Sequence, residues 1–491
     1  MKIRRILSVF LACMMAASLF LSVPAFAAPV DEVKKPAEDE VTDVASPENK
    51  VEMRLASTGA PNIVVKAKAA LLVDETCGLT LCAQNVNEKM YPASVTKIMT
   101  ALLTLEAVSK GQLTMNQVIT VSSTAMAGLD EDGSSADIVE GEKISVENLL
   151  YCLMVVSANE AANILAEAVA GSSDAFVEMM NAKAQELGCE NTHFANPSGL
   201  HDPNHYTTAW DIYLITRAAM QYDQFMTICN TKAYEVPATN KSESRELHST
   251  NFLISTWLNT GYFYDREDIN AHAEGVKTGT TDEAGHCLVS SAVCGDRRVI
   301  SVVLGAGIEP DKDGDRRVMS FAETARLFDW SFDNFAMQTV LREDETIQEV
   351  PVDLSKETNC VLVHPAEDTQ ALLPNGVKVE DLTRTVKLYQ EVADAPIAAG
   401  DVLGEITVSY GDTDYVTVPL LALSDVSANR FMVVKDAIFD FFRMTVVKIA
   451  LVVLVLIVAA VMVWWRLRGR DRRYGKTSRR YRSRSYRGRR R

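Results

Sequence analysis

Ser94 and Lys97 stand three residues apart in the stretch "YPASVTKIMTALLTLEAV", whose apolar spacing predicts an amphipathic helix. Residues three apart on a helix share a face, so the lysine amine can lie against the serine hydroxyl. The chemistry on offer is a nucleophile beside its base. A lysine works as a base only when it sheds its proton, which burial and a second nearby cation both favour. Val95, Ile98, Met99 and Leu102 supply the apolar cover. One S-x-x-K match decides nothing, because about two are expected by chance in a chain this long.

Two further fragments are of matching kind. In "VVSANEAAN", Ser157 and Asn159 fall at the join of two helical stretches. There a hydroxyl can relay a proton and an amide can hold a substrate carbonyl. Alone, a Ser-x-Asn reads as an ordinary helix N-cap. In "GVKTGTTDEAGHCLVSSA", Lys277, Thr278 and Gly279 precede a strand. A small residue on a strand edge lets an extended peptide lie alongside, and Lys277 with the Thr278 and Thr280 hydroxyls can meet a carboxylate. The order S-x-x-K, S-x-N, K-T-G is the signature set of serine penicillin-recognising enzymes, and its joint chance is far below that of any single match.

With these motifs the chain resembles the low-molecular-mass penicillin-binding proteins that act as D-alanyl-D-alanine carboxypeptidases, serine peptidase family S11. The likeness continues through "ALLVDETCGLTLCAQNVNEKMYPASVTKIMTALL", "NTHFANPSGLHDPNHYTTAWDIYLITRAAM" and "HSTNFLI", and more weakly through "AGDVLGEITVSYGDTDYVTVPLLA". The resemblance implies Ser94 as acylated nucleophile, Lys97 as its base, Ser157 and Asn159 as proton shuttle and substrate holder, and Lys277, Thr278 and Gly279 on the opposite wall. It implies an oxyanion hole from the N–H groups of Ser94 and Thr280, and a substrate-carboxylate arginine at Arg316 or Arg317. The substrate would be a peptidoglycan stem ending in D-Ala-D-Ala, with β-lactams acylating the same serine; no cofactor or metal is called for. Glu160 stands where relatives often carry Asp.

The elements that must position these residues are legible in outline. "VKAKAALLVDE" and "LTLCAQN" read as paired strands around a Gly turn. Helical patterns follow at Val146–Met154, Glu160–Val169, Ser173–Leu187 and Thr208–Met220. Strands return at "HCLVSSAVC" and "RVISVVLGA", and a helix around Phe321–Phe332 closes the unit. The expected fold class is α/β, a β-lactamase and transpeptidase-like catalytic domain over 62–336, followed by a small β-sandwich at 337–425.

Both ends address the chain to a membrane. Residues 1–27 read as a secretory signal, and the acidic, Pro-containing 28–61 as a disordered tether. Residues 426–445 form an amphipathic juxtamembrane lead into one span at 446–465. The tail at 466–491 carries 14 Lys/Arg and one Asp, which leaves a net −29 on the rest of a chain whose net charge is −16. The positive-inside bias puts that tail in the cytoplasm and the acidic bulk, with the catalytic unit, outside the bacterial cell membrane. Beside a span, the Arg-rich tail fits topology and anionic lipid better than nucleic acid.

Nine cysteines show neither a CxxC pair nor a zinc spacing. Cys77 and Cys82 flank the turn at Gly78, where a disulfide can form, whereas Cys287 and Cys294 sit too far apart along one strand to bond. Seven histidines contain no HExxH, and a Ser/Lys mechanism requires none. The competing readings are a β-lactamase or D-amino-acid esterase on the same fold, disfavoured by the extra β domain and the span, and a non-catalytic envelope receptor for β-lactam or peptidoglycan, which predicts a lost nucleophile or base.

Overall fold

The computed structural model describes residues 51, 53–56, 62–130, 133–255, 272–310, 314 and 316–474. The expected signal sequence and most of the tether and basic tail lie outside the described residues. The first domain is built on a six-stranded sheet in the order β1-β3-β2-β6-β5-β4. Its strands are β1 (Arg54–Leu55), β2 (Ala69–Asp74), β3 (Leu79–Gln84), β4 (Ala273–Thr281), β5 (Gly285–Cys294) and β6 (Arg297–Ala306). All neighbours are antiparallel except β1 with β3.

Both faces of this sheet are covered, which is why β2, β5 and β6 read as nearly continuous apolar runs. Ala69, Leu71 and Val73 point into the helical core, while Ala70 and Leu72 point to the opposite layer. The core side holds α1 (Lys97–Ser109), α2 (Val146–Val155), α3 (Asn159–Ala170), α4 (Ser173–Glu186), α5 (Ala209–Ala219) and α6 (Asp223–Cys229). The opposite layer is α7 (Met319–Asn334), whose Phe321, Leu327 and Phe328 are buried against the sheet.

The helix boundaries follow the sequence signals to within a residue or two. Ser145, Ser172 and Thr208 accept side-chain hydrogen bonds from the amides three residues on, opening α2, α4 and α5. α1 departs from expectation, because its first turn, Ala93–Thr96, is a 3₁₀ helix. The tether expectation is also corrected. Arg54–Leu55 pairs in parallel with β3, and Arg54 Nη2 donates to the carbonyls of Asp414 (2.6 Å) and Tyr415 (2.9 Å). An acidic, aromatic-poor composition does not reveal a two-residue strand that exists through distant partners. Cys77 and Cys82 are separate thiols, and Cys77 Sγ donates to Asp74 Oδ1 instead.

The second domain begins with β7 (Phe335–Leu341), paired to β10 (Thr369–Pro374). Its main sheet runs β11-β13-β14-β9-β8-β12. These strands are β8 (Gln348–Asp353), β9 (Cys360–Pro365), β11 (Thr383–Leu388), β12 (Ala393–Asp394), β13 (Val402–Tyr410) and β14 (Thr413–Ala422). Alternation along β13 and β14 sends Ile406, Val408, Val418 and Leu420 into an apolar core. The amphipathic α8 (Arg430–Arg443) and then α9 (Thr445–Tyr474) follow. Within α9, Thr445–Arg466 is long and apolar enough to cross a membrane.

Candidate active site

Ser94 lies on the 3₁₀ turn at the mouth of α1, half-buried, and Lys97 begins α1 with its side chain fully buried. The Lys97 Nζ is within hydrogen-bond distance of three oxygens: Ser94 Oγ at 2.9 Å, Asn159 Oδ1 at 2.8 Å and Ser198 O at 2.6 Å. Burial, reinforced by the positive charge of Lys277, holds the Lys97 pKa well below the ordinary lysine value, and Glu160 opposes them in part. A neutral amine has two N–H donors and one lone pair. With the donors satisfied by Asn159 and Ser198, the lone pair is left for the Ser94 hydroxyl proton.

Ser157 and Asn159 come from the break between α2 and α3. Ser157 adopts a left-handed backbone, φ 66°, and its hydroxyl is buried with no hydrogen-bond partner among the described residues. The N-cap reading of Ser-x-Asn therefore fails here. Ala158 is the capping residue, and it caps without its side chain. Asn159 starts the helix, with its N–H bonded to Ser134 O at 2.9 Å. Glu160 is buried as well and accepts from Ser135 Oγ (2.8 Å) and the Ala136 N–H (2.7 Å), pinning the 133–138 loop beside Asn159. The Glu-for-Asp difference is thus part of a built contact.

The opposite wall is the edge strand β4. A Cβ at Gly279 would lie 3.0–3.1 Å from Pro92 O, Val95 N and Ser94 N, so glycine is what lets the strand press against the turn carrying Ser94. Lys277 is buried, donates to Thr278 O at 2.9 Å, and is lowered to about 7, chiefly by burial. Thr278 Oγ1 meets Thr250 Oγ1 at 2.7 Å, and Thr250 N–H reaches back to Val155 O at the end of α2. Thr280 Oγ1 is 3.2 Å from His286 Nδ1. His286 is pushed below its ordinary value by burial and then by the charge of Arg316. All three sequence fragments meet in one cleft.

Sequence reasoning missed the loop between α4 and α5. Asn196 Oδ1 takes the N–H groups of Ser198 (3.2 Å) and Gly199 (2.7 Å), turning the Ser198 carbonyl onto Lys97. Pro197 O receives the Thr100 hydroxyl at 2.6 Å. These contributions are backbone carbonyls, which carry no residue signature. The "NPSGL" turn signal was the available clue.

Residues 55–307 match the family model described as D-alanyl-D-alanine carboxypeptidase, and residues 335–428 match the one described as penicillin-binding protein 5, C-terminal domain. The solved penicillin binding protein 5 from Haemophilus influenzae superposes with a TM-score of 0.58 at 28% identity, covering 75% of this chain and all of that one. The fold is thus the two-domain penicillin-binding-protein architecture, a transpeptidase-like unit followed by a β-sandwich. D-alanyl-D-alanine carboxypeptidase DacF of Bacillus subtilis is 31% identical over 368 residues, 75% of this chain and 87% of its own length. DacC of Escherichia coli is 30% identical over 385 residues, 77% of this chain and 88% of its own length. The chain belongs to the D-alanyl-D-alanine carboxypeptidase family of penicillin-binding proteins.

Proposed function

We propose that the chain is a serine carboxypeptidase whose Ser94 is acylated by the penultimate D-Ala of a peptidoglycan pentapeptide stem, releasing the terminal D-Ala. The observation that carries this reading is the buried junction of Lys97 Nζ with Ser94 Oγ, Asn159 Oδ1 and Ser198 O. Neutral Lys97 takes the Ser94 proton as Oγ attacks the carbonyl carbon. The N–H groups of Ser94 and Thr280 receive the oxyanion, each donor contributing about 3–4 kcal/mol. As the C–N bond breaks, the proton reaches the leaving D-Ala amine through the Ser157 hydroxyl, which has no hydrogen-bond partner among the described residues. Water then cleaves the Ser94 ester with Lys97 again as base. Asn159 orients the substrate, while Lys277 and the Thr278 and Thr280 hydroxyls line the carboxylate end. Arg316 or Arg317, on the short strand Arg316–Val318, meets the terminal carboxylate. β-Lactams acylate the same serine.

The N-terminal signal pattern, the apolar Thr445–Arg466 segment and the Arg-rich tail support an extracytoplasmic catalytic unit held by one C-terminal span, with the tail in the cytoplasm. The test is D-Ala release from diacylated Lys-D-Ala-D-Ala by the full chain in detergent, beside Ser94→Ala. Release by the parent alone supports the reading. Release by both proteins, or by neither, overturns it.

A further inference from the structure

We propose that His205 is a positioning residue for this reaction, acting through Thr96 and the carbonyl of Ala93 to fix the backbone that presents Ser94. The proposal rests on Ser94 being the acylated residue. His205 and Thr96 are both buried. The His205 Nδ1 accepts the Ala195 N–H at 3.2 Å, which in the neutral ring places the proton on Nε2. Nε2 lies 2.8 Å from Thr96 Oγ1 and is therefore the donor there. The single Thr96 hydroxyl proton goes to Ala93 O at 2.8 Å. Every donor and acceptor along the path has one assignment, so the chain runs in one direction and ends on the residue before Ser94. Burial keeps the ring neutral, with its pKa down at about 4, so both ends of the relay hold at neutral pH.

The target of the relay needs holding. Ala93 is left-handed at φ 48°, a conformation unfavourable for a residue with a Cβ. From the other side Gly199 closes on the same carbonyl, where a Cβ would fall 1.9 Å from Ala93 O. Gly199 follows Ser198, whose carbonyl grips Lys97, and His205 N–H bonds Asp202 O at 2.9 Å as the loop turns back toward α5. One loop thus sets both members of the Ser94–Lys97 pair: Ser198 holds the amine, and His205 with Gly199 holds the peptide leading to the hydroxyl. Among the described residues the His205 ring bonds Thr96 and Ala195, not Ser94 or Lys97, so its action passes through Thr96.

The test is the single-turnover labelling of the full chain in detergent by a fluorescent penicillin, separating the acylation rate constant from the preceding binding constant, with melting temperature measured in parallel. Thr96→Val keeps the shape and deletes the hydroxyl, Thr96→Ser restores it, and His205→Phe removes the relay at its origin. Misplacing a reacting group by about 1 Å can cost ~100-fold, so Thr96→Val is expected to lower the acylation constant about 10- to 100-fold. Binding should stay within about threefold, and Thr96→Ser should recover to within about threefold of the parent. His205→Phe should match Thr96→Val wherever it folds. Equal acylation constants for parent and Thr96→Val overturn the relay. So does a joint loss of binding, rate and melting temperature that Thr96→Ser fails to rescue. A parent that is not labelled at all overturns the acyl-enzyme reading and the relay with it.

Discussion

The two domains bury different things. Among the described residues the β domain buries no charged side chain; its interior is Val350, Val363, Leu372, Ile406, Val408, Leu420 and their like. The catalytic domain buries Asp74, Lys97, Glu142, Glu160, Asp211, Lys277, Arg297 and Glu323. Several of these charges are paired for structure, as Arg297 with Asp74 at 3.0 Å and Arg245 with Glu142. Lys97 and Lys277 differ from them. Both are lowered chiefly by burial, Lys97 further by the charge of Lys277, and neither has a carboxylate in ion-pair contact among the described residues. Taking an unpaired cation out of water is costly unless the group gives up its proton. The comparison teaches that one domain is built for stability and the other sacrifices some of it to keep two lysine amines below their ordinary pKa.

The sharpest way to break that contrast is Lys97→Met. It should reduce acylation of Ser94 at least about 10³-fold, as removal of a base from a serine site does. Thermal unfolding should stay level or move upward, because an apolar chain of similar length replaces a buried amine. A large fall in melting temperature would show that Lys97 is structural. Gly279→Ala comes next. Its added methyl would crowd Ser94 N and Val95 N at 3.0–3.1 Å, and the loss of oxyanion geometry is expected to cost about 10²-fold in acylation rate. A variant that acylates like the parent would show that the turn yields without consequence.

On the β-domain side, Ile406→Ala should lower unfolding free energy by about 2–5 kcal/mol in urea titration while leaving activity per folded molecule unchanged. Ile406 is fully buried in the β domain, paired with Val386 and Val418. A change in kinetic constants without unfolding would mean the domains are coupled. The smallest effect is in pH dependence. Lys277 falls from 10.5 to about 7 on folding, so between those values the unfolded chain holds more protons than the folded one. Stability therefore rises with pH across that window, and Lys277→Met should flatten the slope. Lys97, lowered for the same reason, adds a slope of the same sign that persists in that variant.

The β domain and the main sheet were legible because period-two alternation and apolar runs report which faces are covered, and those faces are where the structure puts them. The helices were legible through Ser and Thr caps and a 3.6 period. Of the site, Ser94, Lys97, Asn159 and Lys277 were readable as types at spacings, and they meet in one cleft. Their supports were not readable. Ser198 acts through a carbonyl, Gly199 through the absence of a Cβ, Glu160 through amides of a distant loop, and His205 through a hydroxyl far away in sequence. None requires a particular residue pattern along the chain. The parallel strand Arg54–Leu55 was invisible for the same reason, since a two-residue element exists only through its partners.

The most direct measurement is the rate of Ser94 acylation by a penicillin across pH in the full chain, with Ser94 occupancy verified by mass. If buried neutral Lys97 is the base, the rate climbs as pH rises to a plateau whose midpoint lies well below 10.5, and Lys97→Met abolishes that limb. A midpoint at the ordinary lysine value, or a limb that survives Lys97→Met, would contradict the account.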